Sequence, residues 1–202
     1  MLGIVLLALA VSAVAPFDRR DWLLEHLPTV ATIAFLVWYE KRPGGTPLTT
    51  LSYVLLGALL LLHVLGAHFL YSRVPYAEWW AQLRGTPLPL GATRNHYDRF
   101  VHLCFGLFAI VPITELVRRH VTCARIRSVV VGLAFVALTS ELYELAEWCI
   151  AILMSPEAAA NYNGQQGDVF DAQKDVGLAL LGGLVGGALV AVRSVGPDPA
   201  GS

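Results

Sequence analysis

Apolar residues in this chain fall into six runs, at positions 2–15, 23–39, 48–71, 100–117, 129–154 and 176–192. About 20 mostly apolar residues are needed for a helix to cross a bilayer. The last four runs read directly as spans. The first is short, and the second is interrupted near its start by Glu25, His26 and Pro28. The pattern predicts an all-α protein: a polytopic membrane helix bundle of about six transmembrane helices, forming one domain over 1–202. The first run also carries Val11-Ser12-Ala13 and Ala13-Val14-Ala15, which fit the small-x-small site of a cleaved signal peptide. No Lys or Arg precedes it, whereas a secretory leader normally opens on basic residues, so a retained helix is expected.

Between the third and fourth runs, Tyr76, Trp79, Trp80 and Leu83 recur at i, i+3, i+4 and i+7. That stripe predicts a short amphipathic helix over 76–84, either flat on the membrane interface or packed on the bundle. Pro87 and Pro89 then break the chain. Residues 194–202 read as a flexible tail.

Composition agrees with the pattern. Charged residues make up 14% and apolar residues 56%, and the mean hydropathy is +0.60. Soluble domains carry about 25% charged residues, so much of this surface faces lipid and the bilayer is the expected partner. A net charge of −1 points to no nucleic acid. Cys104, Cys123 and Cys149 form no CxxC pair and read as free thiols.

Loop charges orient the bundle. With both termini cytoplasmic, the inner side holds Lys41, Arg42, Arg118, Arg119, Arg125, Arg127 and Arg193. The outer side holds Arg19, Arg20, Arg73, Arg84 and Arg94. In either orientation, loops 72–99 and 155–175 share one side.

Ionisable residues inside spans are costly and usually face the bundle interior. Here they fall in four places. The third run ends with His63, His68, Tyr71 and Arg73, and the fourth opens Tyr97-Asp98-Arg99-Phe-Val-His102. Asp98 and His102 are four apart and share a helix face. The fifth run carries Glu141, Glu144 and Glu147 within one sector of about 120°. Before the sixth stand Asp168, Asp171 and Asp175, which share a face if that segment is helical. Alternating span direction brings all four clusters to one leaflet. Gly182 and Gly186 lie on the aspartate side of the sixth helix, where close helix contact is expected, so these carboxylates point into the bundle.

The expected site is an outward-facing acidic and histidine cavity. Glu144 and Glu147 sit deepest and are the candidate catalytic acid–base pair. His68, Asp98, His102, Asp168, Asp171 and Asp175 are the candidate ligands to a metal or a polar lipid head group. Such donors admit a divalent metal as cofactor; its identity is unread. A proton relay, a small proton- or cation-coupled transporter, and a structural or assembly role stay open, as do catalysis itself and the oligomeric state. His63 reads as packing, Glu115 as an ion-pairing end residue, and Asp21, Glu25 and His26 as interfacial. The chain has no HExxH, GxSxG or phosphate-binding loop.

Four segments together carry a resemblance: His68-Phe-Leu-Tyr-Ser-Arg-Val-Pro75, Asn95-His-Tyr-Asp-Arg-Phe-Val-His102, Tyr143-Glu-Leu-Ala-Glu-Trp148 and Gly164-Gln-Gln-Gly-Asp-Val-Phe-Asp-Ala-Gln-Lys-Asp175. The chain resembles the YjdF-like family of bacterial inner-membrane proteins, a family of unknown function. That resemblance implies the fold and a multi-pass inner-membrane location. Asp-Arg-x-x-His, an acidic helix, and Asp-x-x-x-Asp before a Gly-rich helix also resemble VanZ-like membrane proteins. The chain departs from that pattern at Glu147-Trp148 and at Asp175. This second likeness implies a cell-envelope or lipid-linked ligand.

Overall fold

The computed structural model of the protein describes residues 1–88, 94–121 and 124–192. Among them the helices are α1 (Leu2–Ser12), α2 (Arg19–Lys41), α3 (Thr50–His68), α4 (Tyr76–Arg84), α5 (Tyr97–His120), α6 (Arg125–Leu153), α7 (Pro156–Asn163) and α8 (Asp171–Val192). The tail over 194–202, Pro89, Cys123 and Arg193 lie outside the described residues.

Local chemistry sets the helix ends. Asp18 accepts hydrogen bonds from the backbone N–H groups of Arg20 and Asp21 at 2.7 and 3.1 Å, which caps α2. Thr49 caps α3 through the Ser52 N–H at 3.3 Å, and Ser155 caps α7 through the Ala158 N–H at 3.3 Å. Gly85 and Gly164 end α4 and α7 with φ of +67° and +59°, values that favour glycine.

Five helices, α2, α3, α5, α6 and α8, are long and apolar enough to cross a membrane. The first apolar run instead forms a helix of 11 residues, about 16 Å long, well short of the ~30 Å hydrocarbon core. Two contacts place it beside α3. Met1 meets Gly57, and at the other end Ser12 O accepts from His68 Nδ1 at 2.9 Å.

Helices α5, α6 and α8 form a tight three-helix unit, α3 joins it through α5, and α1 and α2 pack on α3. Glycine permits the closest crossing. A Cβ on Gly106 would lie 1.8 Å from the Ala179 carbonyl oxygen, and one on Gly182 would lie 2.1 Å from that of Leu103. Ile110, Val136 and Ala179 fill the centre of this unit with no exposed surface. Leu142, Leu145, Leu184 and Leu189 point outward and stay exposed, as lipid-facing residues do.

The basic end of the bundle closes on Glu115. Its carboxylate pairs with Arg119 and accepts from the Thr49 N–H and hydroxyl, both at 2.9 Å, which ties the start of α3 to the end of α5. At the opposite end α4 packs on the bundle along one side. Tyr76 packs against the Val74–Tyr97–Val101 cluster and Trp79 lies 5.9 Å from the Phe69 ring, while Leu83 stays 82% exposed. Helix α7, unforeseen from the sequence, packs on α6 beyond its end.

Candidate functional site

The N-terminal ends of α2, α5 and α8 and the C-terminal ends of α3 and α6 meet at one end of the bundle. Asp98 and His102 project from the first two turns of α5, and Asp175 from the second turn of α8. One potential ligand atom from each lies within 4.8 Å of the others. Glu144 joins from α6: its Oε1 is 3.3 Å from His102 Nε2, which is also 3.6 Å from Asp98 Oδ1. His102 Nδ1 lies 3.5 Å from the Ser140 hydroxyl. Asp175 is 2% exposed, and its Oδ1 has no hydrogen-bond partner.

Asp168 and Asp171 form a rim bound to cations. Asp171 pairs with Arg94 at 2.5 Å and Arg99 at 2.9 Å. Asp168 pairs with Arg99 and with Lys174, each at 2.5 Å. Asp168 is not on the α8 face, because the helix begins only at Asp171; the carboxylate reaches Arg99 from the preceding turn and accepts the Phe170 N–H at 3.1 Å. The hydrogen bond from Lys174, then that from the Phe170 N–H, hold the Asp168 carboxyl well below the usual range. Asn95 and Gln166 exchange hydrogen bonds at 2.9 and 3.0 Å, so loops 72–99 and 155–175 lock together on this side.

Glu147 lies one turn beyond Glu144 on α6. Glu141 is exposed. His68 stands apart from the cluster, with Nδ1 donating to the end of α1.

A second buried network adjoins the first. Tyr143 donates to Glu25 Oε2 at 2.7 Å, and Glu25 is 3% exposed. His63 Nε2 donates to the Glu25 carbonyl at 2.8 Å, which leaves Nδ1 to accept from the Tyr71 hydroxyl. Burial pushes the Tyr71 phenol well above its ordinary range, so it remains a proton donor. Its ring lies where a Cβ on Gly66 would stand, 2.6 Å away, so only glycine leaves room. His26 is also buried, and its Nε2 has no partner.

Glu25, His26 and His63 therefore belong to the interior polar site, contrary to their reading as interfacial and packing residues. The available signal was their position within the apolar runs 23–39 and 48–71. A cavity of about 190 Å³ connects the two networks, lined among others by His63, Tyr71, Asp98, His102 and Tyr143.

Residues 1–195 match a family described as "Predicted membrane protein (DUF2238)". The Escherichia coli K12 protein described as "Inner membrane protein YjdF" is 31% identical over 183 residues, which cover 88% of this chain and 81% of that protein. No solved structure matches significantly.

Proposed function

We propose a site-level function for this chain, which belongs to the DUF2238 family of predicted membrane proteins: it holds a divalent cation between α5, α6 and α8. Its place is the bacterial inner membrane, as the name of its Escherichia coli relative states for that protein. The basic end, with Lys41, Arg42, Arg118, Arg119, Arg125 and Arg127, faces the cytoplasm by the positive-inside rule. The polar cavity then opens outward.

One observation carries the reading. Asp175 is buried, its Oδ1 is unpartnered, and it shares a ligand-sized space with Asp98 and His102. An unpaired buried carboxylate oxygen is expensive, and a cation at that point removes the cost. Charge supports the same reading. Among the described residues, Asp98, Glu144, Asp168, Asp171 and Asp175 outnumber the cations paired with their cluster, Arg94, Arg99 and Lys174, so the site carries excess negative charge if all ionise. A divalent ion offsets part of that excess. Carboxylate oxygens with an imidazole nitrogen suit a borderline ion such as Zn²⁺ or Mn²⁺. His102 Nε2 would be the ligand, with Nδ1–H held by Ser140 as an outer partner. Glu144 is then placed as a fourth ligand or as a base beside the ion.

The test is metal analysis of the purified protein beside thermal unfolding with added Zn²⁺ or Mn²⁺. A ligand at a hundred times its Kd stabilises by about 2.7 kcal/mol. Asp175→Asn and His102→Gln should lose both bound metal and this stabilisation. A wild-type protein that takes up no metal and gains no stability would leave the carboxylates balanced by protons, as in a relay, or serving helix register alone.

A further inference from the structure

The polar cluster opens onto a space that the bundle does not close. Helix α2 packs on α3 and makes no comparable approach to α5 or α6. It reaches α6 through the Tyr143–Glu25 hydrogen bond. The cavity lies along this seam, with Pro28, Thr29 and Thr32 on one wall, Thr139, Ser140 and Tyr143 on the other, and Leu60 and Phe105 in its floor. Thr32 lies about 20 Å along α2 from its polar end, near the middle of that helix, while Ser140 stands level with His102, 3.5 Å away, so the space reaches from the polar cluster to about the middle of the span. The ionisable groups Asp98 and His102 line the cavity at the polar cluster, and its walls carry hydroxyl groups, on Thr29, Thr32, Thr139 and Ser140, among apolar residues.

The rim adds a second feature. The Nε atoms of Arg94 and Arg99 are buried and have no hydrogen-bond partner, although both guanidinium groups already hold aspartates through their terminal nitrogens. Buried guanidinium donors left over beside a cation site suit a phosphate, whose oxygens accept from arginine and coordinate metal together.

We infer that the seam between α2 and α6 is a lateral entry for a membrane amphiphile with a phosphate head group. Its hydrocarbon chain lies in the seam, and its phosphate sits between the cation and the Arg94–Arg99 pair. The head-group part rests on the cation reading; the seam does not. A water-soluble ligand would have no use for a slot that runs into the hydrocarbon. A chain already in the bilayer enters sideways without leaving an apolar medium. Pro28 lacks the N–H that would bond one turn back, which loosens α2 where it borders the seam.

Two photoreactive lipids test this in lipid nanodiscs: a phosphatidic acid and a diacylglycerol with the same diazirine-bearing chain. Crosslinks from the phosphatidic acid should concentrate on residues 28–32 and 139–143. They should fall to the background of the outward face of α8 for the diacylglycerol probe. Thr32→Trp, which fills the seam from α2, should also abolish them while bound metal per chain stays at the wild-type level. Thr139→Trp does the same from α6 and covers a Thr32→Trp chain that fails to fold. Crosslinks that ignore both fillings, or that do not distinguish the two probes, overturn the inference whatever the metal content. A wild-type chain without metal overturns the cation reading whatever the labelling.

Discussion

The Nε2 atom of His102 lies 3.3 Å from a carboxylate oxygen of Glu144. That contact joins the second turn of α5 to a point about 14 Å inside the end of α6. Glu144→Gln keeps the shape and a hydrogen-bonding oxygen while removing the charge. Folded yield should hold, and the rise in melting temperature on adding Zn²⁺ or Mn²⁺ should shrink. An unchanged metal response would take Glu144 out of the cation's surroundings and leave it a register-setting residue.

The crossing of α5 and α8 depends on absent side chains. Gly106→Ala drives a methyl against the Ala179 carbonyl, at 1.8 Å before relaxation, and should cost at least the ~1–3 kcal/mol typical of overpacking. On the same helix as Ala179, a Cβ at Gly177 would meet nothing within 4 Å. Gly177→Ala should therefore be neutral, or stabilising by up to ~1 kcal/mol through helix propensity. Thermal unfolding of both variants in one detergent reads the contrast directly.

Tyr143 holds Glu25 across the seam at 2.7 Å. Tyr143→Phe leaves the buried carboxyl of Glu25 without this donor and should destabilise by about 1–3 kcal/mol. Adding Glu25→Gln should recover part of the loss, because a neutral amide is cheaper to leave buried. A double variant no more stable than Tyr143→Phe would show that the bond contributes little.

At the rim, Lys174, the Phe170 N–H and Arg99 hold the Asp168 carboxyl below its unfolded value of 3.8. A depressed folded value means that the interaction favours folding above pH 3.8 and is lost as pH falls through the lower, folded value. Wild type should therefore melt above Asp168→Asn at neutral pH, and the gap should close only in strong acid. A gap that closes in mild acid would point to another group.

Sidedness can be read by cysteine labelling in a background without the native cysteines. Glu157→Cys lies on exposed α7 and Val121→Cys at the exposed basic end. An impermeant maleimide added to intact cells should modify the first and spare the second. The opposite pattern would invert the bundle and turn its cavity to the cytoplasm.

Much was legible in the sequence because it is local. A run of apolar residues states that a segment lies in lipid, and helical spacing states that Asp98 shares a face with His102 and Asp175 with Gly182. Alternating direction then carries α3, α5, α6 and α8 to one polar end without any coordinates. The limits lay where packing partners matter. Glu25, His26 and His63 looked like end and packing residues, because nothing along α2 says that it will stand across a seam from Tyr143. Asp168 would share the face of Asp171 and Asp175 only if its segment were helical, whereas α8 begins at Asp171, and the rim arginines that hold both aspartates come from 69 to 77 residues away in sequence. The first apolar run carried the composition of a span but forms a helix of 11 residues beside α3. Sequence alone determined that the last four apolar runs are spans and that Asp98, His102, Glu144, Glu147 and Asp175 enter with them, since the cost of transferring each side chain is its own. Tertiary structure decided which of those polar residues meet, because a buried charge is tolerated only by its neighbours, and those neighbours come from other helices.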